Sequence, residues 1–102
     1  MSIFIKTEHF KEETLSLSSE KRRLLLDSHS SWVNSLLSSG INITSGYLVD
    51  AMKRPGGGGL LVLKAKDYGE AKKIILQDPM IKNSLVNWNL QEWLPVFGEL
   101  LK

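Results

Sequence analysis

Apolar residues recur with the spacing of a helix between Ser19 and Ser39. One stripe of that helix holds Leu25, Leu26, Trp32, Val33, Leu36 and Leu37. Ser18 or Ser19 is suited to cap the start of the helix, and Gly40 is suited to end it. His29 falls near the centre of the stripe, so a titratable ring lies on the face that the pattern predicts to be buried.

Four other segments have the residue types and spacing of strands. They are SIFIKT at residues 2–7, INITSGYLVDAM at residues 41–52, LLVLKA at residues 60–65 and VNWNLQEWLPVF at residues 86–97. The apolar run in the third segment predicts a central strand that is buried on both faces. In the fourth, Val86, Trp88 and Leu90 alternate with polar residues, which is the period of a half-exposed strand.

A second helix is predicted to open at Asp67, which forms a capping-box-like pair with Glu70. Asp78 and Pro79 follow that helix. Aspartate is favoured as an N-cap and proline as the first helical residue, so the pair predicts a short capped helical turn. In an alternative interpretation, the Asp78 carboxylate reaches His29 on the first helix. The sequence leaves both interpretations open.

The predicted elements follow the order β-α-β-β-α-β, which is the ferredoxin-like α+β arrangement. It has a four-stranded antiparallel sheet with two helices on one face. The 102 residues are the size of a single domain, 1–102. Trp88 and Leu90 alternate along the last strand, and the other face of the sheet also carries apolar residues. Two helices do not cover both faces, so we expect a homodimer that packs through the open face.

The glycine run PGGGG at residues 55–59 predicts a flexible hairpin loop between the second and third strands. A phosphate-binding loop is excluded, because no Gly-Lys-Ser/Thr follows and a strand stands where a helix should begin. A mobile loop of this kind is able to close over a pocket.

Composition argues against several classes of function. The net charge of +2 is too small to indicate a nucleic-acid or anionic-membrane partner, and the basic run KRR at residues 21–23 is typical of solvated surface. The predicted strands lack the paired aromatic residues of an RNA-binding sheet. The absence of cysteine excludes disulfides and thiolate zinc sites. The longest apolar run, LLVL, is too short for a membrane span, and the first residues lack the apolar core of a secretory signal, so we expect a cytoplasmic protein.

His29 also has two interpretations. A lone histidine on an apolar face is often a core residue that needs one hydrogen bond. Oriented by a carboxylate such as Asp78, its ring would instead move a substrate proton as a general acid–base. His9, the other histidine, lies on a different predicted element, so no metal site is expected.

Five segments occur in an order that is shared with a known family: DSHSSWVNSLLSSG, TSGYLVD, GGGGLLVLKAKD, DYGEAKKIILQ and DPM. Over roughly residues 20–97 the chain resembles the YciI, or YCII-related, family. The most specific feature is a mid-helix His29 combined with Asp78-Pro79 after the second helix. The chain departs from the family pattern at Leu26, where a basic residue is common, and at Tyr47, where proline is common.

The resemblance implies a ferredoxin-like dimer, related to muconolactone isomerases, with His29 and Asp78 as a catalytic dyad. One type of family member is a lyase that eliminates halide from a chlorinated hydroxyquinol. Elimination or isomerisation of a small cyclic or phenolic substrate is therefore expected, without a cofactor or metal. Trp32, Gly46 and Tyr47 are candidates for substrate contacts, with core packing as the alternative for the two aromatic residues. The alternative function is a non-catalytic dimer that binds a small molecule or a protein.

Overall fold

The computed structural model describes residues 1–99, which contain four strands and four helices. The strands are β1 (Ser2–Phe10), β2 (Ile43–Val49), β3 (Pro55–Ala65) and β4 (Val86–Trp93). The helices are α1 (Glu12–Leu15), α2 (Ser19–Ser38), α3 (Tyr68–Ile75) and α4 (Pro79–Lys82). Within this range, no helix is both long enough and apolar enough to cross a membrane.

The strands form one antiparallel sheet in the order β2-β3-β1-β4. The segment LLVLKA belongs to β3 and is central, as predicted from its apolar run. With α2 and α3 packed against one face, the molecule has the predicted ferredoxin-like α+β fold. The shared core lies between sheet and helices and consists of Phe4, Ile43, Leu61, Leu63, Ala65, Ala71, Ile75 and Leu90.

The apolar residues of β4 lie on the helix-covered face of the sheet. Leu90 is the register partner of Lys6 and is buried, and Trp88 packs against the same core. The alternation of these two residues therefore does not by itself require a second chain. The pleat turns another apolar set to the opposite face, namely Ile3, Ile5, Leu60, Val62 and Trp93.

Helix α2 has the ends that the sequence predicts. The Ser18 hydroxyl accepts a hydrogen bond from the backbone N–H of Lys21 at 3.2 Å. Gly40 follows the helix with a φ of 86°, and the N–H of Ile41 donates back to the carbonyl of Leu36 at 3.0 Å. A positive φ at Gly40 lets the chain reverse and satisfy the last carbonyl groups, because glycine has no Cβ.

The predicted stripe of α2 is only partly buried, and this was the less accurate part of the helix prediction. Leu26 is 46% exposed and Leu37 is 50% exposed. The half-buried residues are instead Arg22, Leu25, His29, Trp32, Val33 and Leu36. This narrower face leaves room between the first half of α2 and the sheet.

The prediction that residues 55–59 form a hairpin loop was wrong, because β3 begins at Pro55. The turn between β2 and β3 occupies residues 50–54 and contains no glycine. Oδ1 of Asp50 accepts hydrogen bonds from the backbone N–H groups of Met52 and Arg54 at 2.8 and 3.0 Å, and Lys53 takes a φ of 62°. The Asp50 side chain thus stabilises the turn by these hydrogen bonds, and the glycines at residues 56–59 take no part in it.

Candidate active site

His29 and Asp78 meet beneath α2. Nδ1 of His29 lies 2.9 Å from Oδ1 of Asp78. Asp78 is also the N-cap of α4, and the same oxygen accepts the backbone N–H of Met80 at 3.0 Å. A single carboxylate therefore caps the short helix and contacts the histidine, so the two interpretations of Asp78-Pro79 are compatible.

A buried lysine holds the other oxygen of that carboxylate. Nζ of Lys6 lies 2.7 Å from Oδ2 of Asp78 and 2.8 Å from Oε1 of Glu8. The Lys6 and Asp78 side chains are inaccessible to solvent, while the Glu8 side chain is 11% exposed. One cation therefore faces two carboxylates, which leaves one negative charge beside His29.

The pKa of Asp78 is lowered from its ordinary value of 3.8. Burial alone would raise the pKa, but hydrogen bonds from His29 and Lys6, together with the charge of Lys6, outweigh burial. The carboxylate is thus ionised at neutral pH and accepts hydrogen bonds only. Neutral His29 must then carry its proton on Nδ1, which leaves the lone pair on Nε2.

Nε2 of His29 faces Ser45 on β2. The Ser45 Oγ atom lies 3.1 Å from Nε2, and its O–H group donates to the lone pair in the tautomer that Asp78 imposes. The ring of Trp32 lies beside the imidazole, with 5.7 Å between the ring centroids. His29 is therefore held on both ring nitrogens, with 15% of its side chain exposed.

A cleft of about 1070 Å³ opens next to His29 and Ser45. It lies between the first half of α2 and the glycine end of the sheet. Gly46 and Tyr47 line it, and Tyr47 is 73% exposed and not in the core, while their contact with a substrate stays a prediction. Trp32 packs against the core and the His29 ring, outside the residues that line the cleft, and its contact with a substrate stays a prediction.

The glycine run forms the floor of this cleft, which includes Gly56, Gly57, Gly58 and Gly59. A Cβ added to Gly59 would lie 3.2 Å from Cγ of Glu8, and one added to Gly57 would lie 3.4 Å from the Leu15 side chain. The missing side chains leave the volume open. The glycines thus serve the candidate site as part of a strand, and not as the mobile loop that the sequence suggested.

Sequence reasoning missed Lys6, Glu8 and Ser45. The available signal was the alternation Phe4, Lys6, Glu8, Phe10, which puts two charges on the strand face that two phenylalanines mark as buried. The alternation is complete only at Phe10, beyond the predicted first strand of residues 2–7, so Lys6 has the pattern of an ordinary exposed strand lysine. Among residues 1–99, no three His, Asp or Glu side chains cluster closely enough to hold a metal ion.

The sequence profile of the YCII-related domain matches residues 3–93. The chain belongs to the YCII-related family. No curated protein matches it in sequence.

Solved structures show the same fold for this YCII-related chain. One is the 5-chloro-2-hydroxyhydroquinone dehydrochlorinase TftG from Burkholderia phenoliruptrix AC1100, in complex with 2,5-dihydroxybenzoquinone. The two chains are 18% identical with a TM-score of 0.70, over 89% of this chain and 92% of the dehydrochlorinase. At this identity, the similarity establishes the fold.

Proposed function

We propose that this protein is a small-molecule enzyme in which His29 transfers a proton to or from a cyclic or phenolic substrate. The observation that carries the proposal is the ring of His29 between a buried, ionised Asp78 at 2.9 Å and an open cleft. A side chain positioned for proton transfer accelerates a reaction by roughly 10²–10⁴-fold. The proposed elimination or isomerisation draws on no cofactor.

The charges around His29 suit a general base. Before proton transfer, the positive charge of Lys6 balances one of two carboxylates, Glu8 and Asp78. When Nε2 accepts a substrate proton, the imidazolium balances the second. The cluster thus gains charge balance at the step in which the base is protonated, which favours that step because Lys6 and Asp78 are removed from solvent.

The buried ion pair supports a functional role for Asp78. Burying Lys6 with Asp78 costs desolvation energy, and apolar residues of similar size often give equal or greater stability. Stability alone is therefore a weak reason for the pair. Holding an ionised carboxylate against His29 is a stronger reason, because it fixes the ring and its tautomer.

Similarity to the dehydrochlorinase favours a phenolic substrate and an elimination. By its name, that enzyme removes chloride and a proton from a chlorinated hydroxyhydroquinone, and its complex holds a dihydroxybenzoquinone. Such a reaction needs a proton acceptor beside a small ring. The cleft beside His29 has about the volume of small-molecule sites, which is roughly 300–1,000 Å³.

The test is turnover of a panel of chlorinated hydroxyhydroquinones and hydroxylated lactones, followed by ultraviolet absorbance and chloride release. We expect His29→Gln to lower kcat by roughly 10²–10⁴-fold, whereas Lys21→Gln, an exposed change on α2 outside the cleft, leaves it unchanged. Binding of panel members without turnover in the parent protein would instead support the alternative, a non-catalytic binding module.

Ser45 gives a specific reason to consider a second function. The hydrogen bonds from Ser45 through His29 to Asp78, at 3.1 and 2.9 Å, have the connectivity of a serine hydrolase triad. Acyl transfer with Ser45 as nucleophile is the second candidate. A fluorophosphonate probe separates the two candidate functions. Labelling of Ser45 that is lost in His29→Gln favours acyl transfer. A Ser45→Ala variant that is not labelled but still turns over the substrate panel favours proton transfer by His29.

We also propose a homodimer through the open face of the sheet. Five apolar side chains support it: Ile3, Ile5, Leu60, Val62 and Trp93. Light scattering after gel filtration should give twice the mass of one chain for the parent protein. The Ile5→Glu variant should give the mass of a single chain. A parent protein with the mass of one chain would contradict the dimer. We further propose that residues 1–102 form one domain, of which residues 100–102 lie outside the described part. We also propose that the protein is cytoplasmic.

A further inference from the structure

Arg22 carries a buried hydrogen-bond donor without a partner. Its Nε atom is removed from solvent and forms no hydrogen bond within residues 1–99. The side chain is partly buried and lines the cleft. The expectation that KRR at residues 21–23 is solvated surface is therefore wrong for Arg22. Nearly all buried polar groups in proteins are hydrogen-bonded, so an unsatisfied N–H on a residue that lines a cleft requires an explanation, such as a bound ligand.

The charged residues around the cleft do not satisfy Arg22. Two carboxylates line the same cleft, Glu8 and Asp27. Glu8 is bound to Lys6 at 2.8 Å, and no ion pair among the described residues joins Asp27 to Arg22. A guanidinium carries a delocalised positive charge. The cleft is therefore lined by a guanidinium that forms no ion pair with another described residue.

The position of Arg22 relative to His29 defines the shape of a ligand. The two residues are seven positions apart on α2, which is two turns, or roughly 10 Å along the helix axis. Both line the cleft, and the apolar walls between the strands and α2 include Phe10, Leu15 and Val33. Arg22 lies in the first turn of the 20-residue helix, where the helix dipole adds positive potential.

We propose that Arg22 binds a carboxylate on the substrate, so that the substrates are small cyclic or aromatic carboxylic acids. This inference rests on the proposed function and specifies its substrate class. The planar guanidinium matches a carboxylate with parallel hydrogen bonds, and the ring of the substrate packs on the apolar walls. The carboxylate at Arg22 holds the far end of the ring while its reactive hydrogen faces Nε2 of His29.

The experiment is an ¹⁵N NMR titration that includes the Arg22 Nε–H resonance, with 2,5-dihydroxybenzoate and 2,5-dihydroxybenzamide as probes. The probes share ring and hydroxyl groups and differ in charge. We expect the carboxylate to bind at least about tenfold tighter than the amide and to shift the Arg22 resonance, because hydrogen bonds between charged groups are the stronger ones. Arg22→Gln should abolish the preference, Arg22→Lys should retain part of it, and Lys21→Gln, the matched charge removal on the exposed face, should keep it.

Equal binding of the two probes would overturn the proposal. A preference that survives in Arg22→Gln would overturn it too, as would a carboxylate probe that shifts no cleft resonance at millimolar concentration. The spectra themselves report whether each variant is folded. His29→Gln separates this inference from the proposed function, because it should keep the carboxylate preference while losing turnover. A parent protein that binds the carboxylate through Arg22 but turns over no substrate would contradict only the proposed function.

Discussion

Lys6 and Asp78 form an ion pair of 2.7 Å between β1 and the start of α4, and solvent reaches neither side chain. The pair joins residues 72 positions apart in the sequence. It ties the short helix α4 to a central strand, and it carries the carboxylate that orients His29. Stability and the candidate chemistry therefore depend on the same contact.

Removal of Lys6 should strongly destabilise the protein. In Lys6→Met, Asp78 and Glu8 lose their shared cation, and an uncompensated buried charge costs about 3–5 kcal/mol of unfolding free energy. Urea denaturation measures the loss. Lys73→Met is the control, since Lys73 is an exposed lysine on α3, away from the open face of the sheet, and its replacement should change stability by about 0.5 kcal/mol or less. Similar losses in both variants would show that the Lys6 pair contributes nothing specific.

Stability should fall in acid because of Asp78. In the unfolded chain this carboxyl has its ordinary pKa of 3.8, and in the native protein its pKa is lower. As the pH falls, the unfolded state therefore takes up the proton first, so stability is complete above the unfolded pKa and is lost as the pH falls through the native pKa. Unfolding free energies measured from neutral pH to pH 2 should show a smaller acid-dependent loss in Asp78→Asn than in the parent.

A second helix cap provides the control for that pH dependence. Asp67 caps α3 by accepting the N–H of Glu70 at 2.9 Å, but it is exposed and has no cation partner in the described structure. Asp67→Asn should therefore reduce the acid-dependent loss less than Asp78→Asn does. If Asp78→Asn and Asp67→Asn had the same pH profile, the buried hydrogen bonds of Asp78 would not be the cause.

The neutral ring of His29 should carry its proton on Nδ1. Two-bond ¹⁵N–¹H NMR above the titration range of histidine distinguishes the tautomers, and we expect a protonated Nδ1 and an unprotonated Nε2. Asp78→Ser retains an N-cap oxygen for Met80 but is too short to reach the ring, so both tautomers should appear. The exposed His9 provides an internal reference that should not change. Protonation on Nε2 in the parent would contradict the assigned hydrogen bonds.

Two neighbouring glycines should respond oppositely to alanine. Gly57 has a φ of 83°, within the irregular register between β2 and β3, so Gly57→Ala should cost about 1 kcal/mol or more of stability. Gly56 has ordinary backbone geometry, and a Cβ there meets nothing within 4 Å. Gly56→Ala should therefore be neutral or stabilising by up to about 1 kcal/mol. Thermal unfolding compares the two, and equal effects would contradict the backbone argument.

The fold was predictable because several local signals agree with one another. The caps of α2 at Ser18 and Gly40, the cap of α3 at Asp67 and the apolar run of β3 specify the elements, and their order then leaves one familiar topology. The glycine run was misassigned because a side chain, Asp50, makes the turn where no glycine or proline occurs. Turn rules based on glycine give no weight to such a contact.

The candidate site was only half predictable for a different reason. His29 and Asp78 stand out as polar residues in distinctive places, next to an apolar stripe and a proline. Lys6 does not, because a lysine in a strand is ordinarily exposed and its partner lies 72 residues away. Burial of Arg22 likewise depends on the distance between α2 and the sheet, and the spacing of apolar residues along the sequence does not predict that distance.

The two ends of β3 also differ in how readily they should open. Leu61 and Leu63 anchor one end in the core, whereas the other end, from Gly56 to Gly59, has no side chains to pack. Amide hydrogens at the glycine end should therefore exchange with solvent through local opening, while those at the leucine end exchange only when the whole molecule unfolds. A ligand that fills the cleft lies against the glycine end. Deuterium uptake along this one strand would then report whether a ligand occupies the cleft, even when the reaction is unknown.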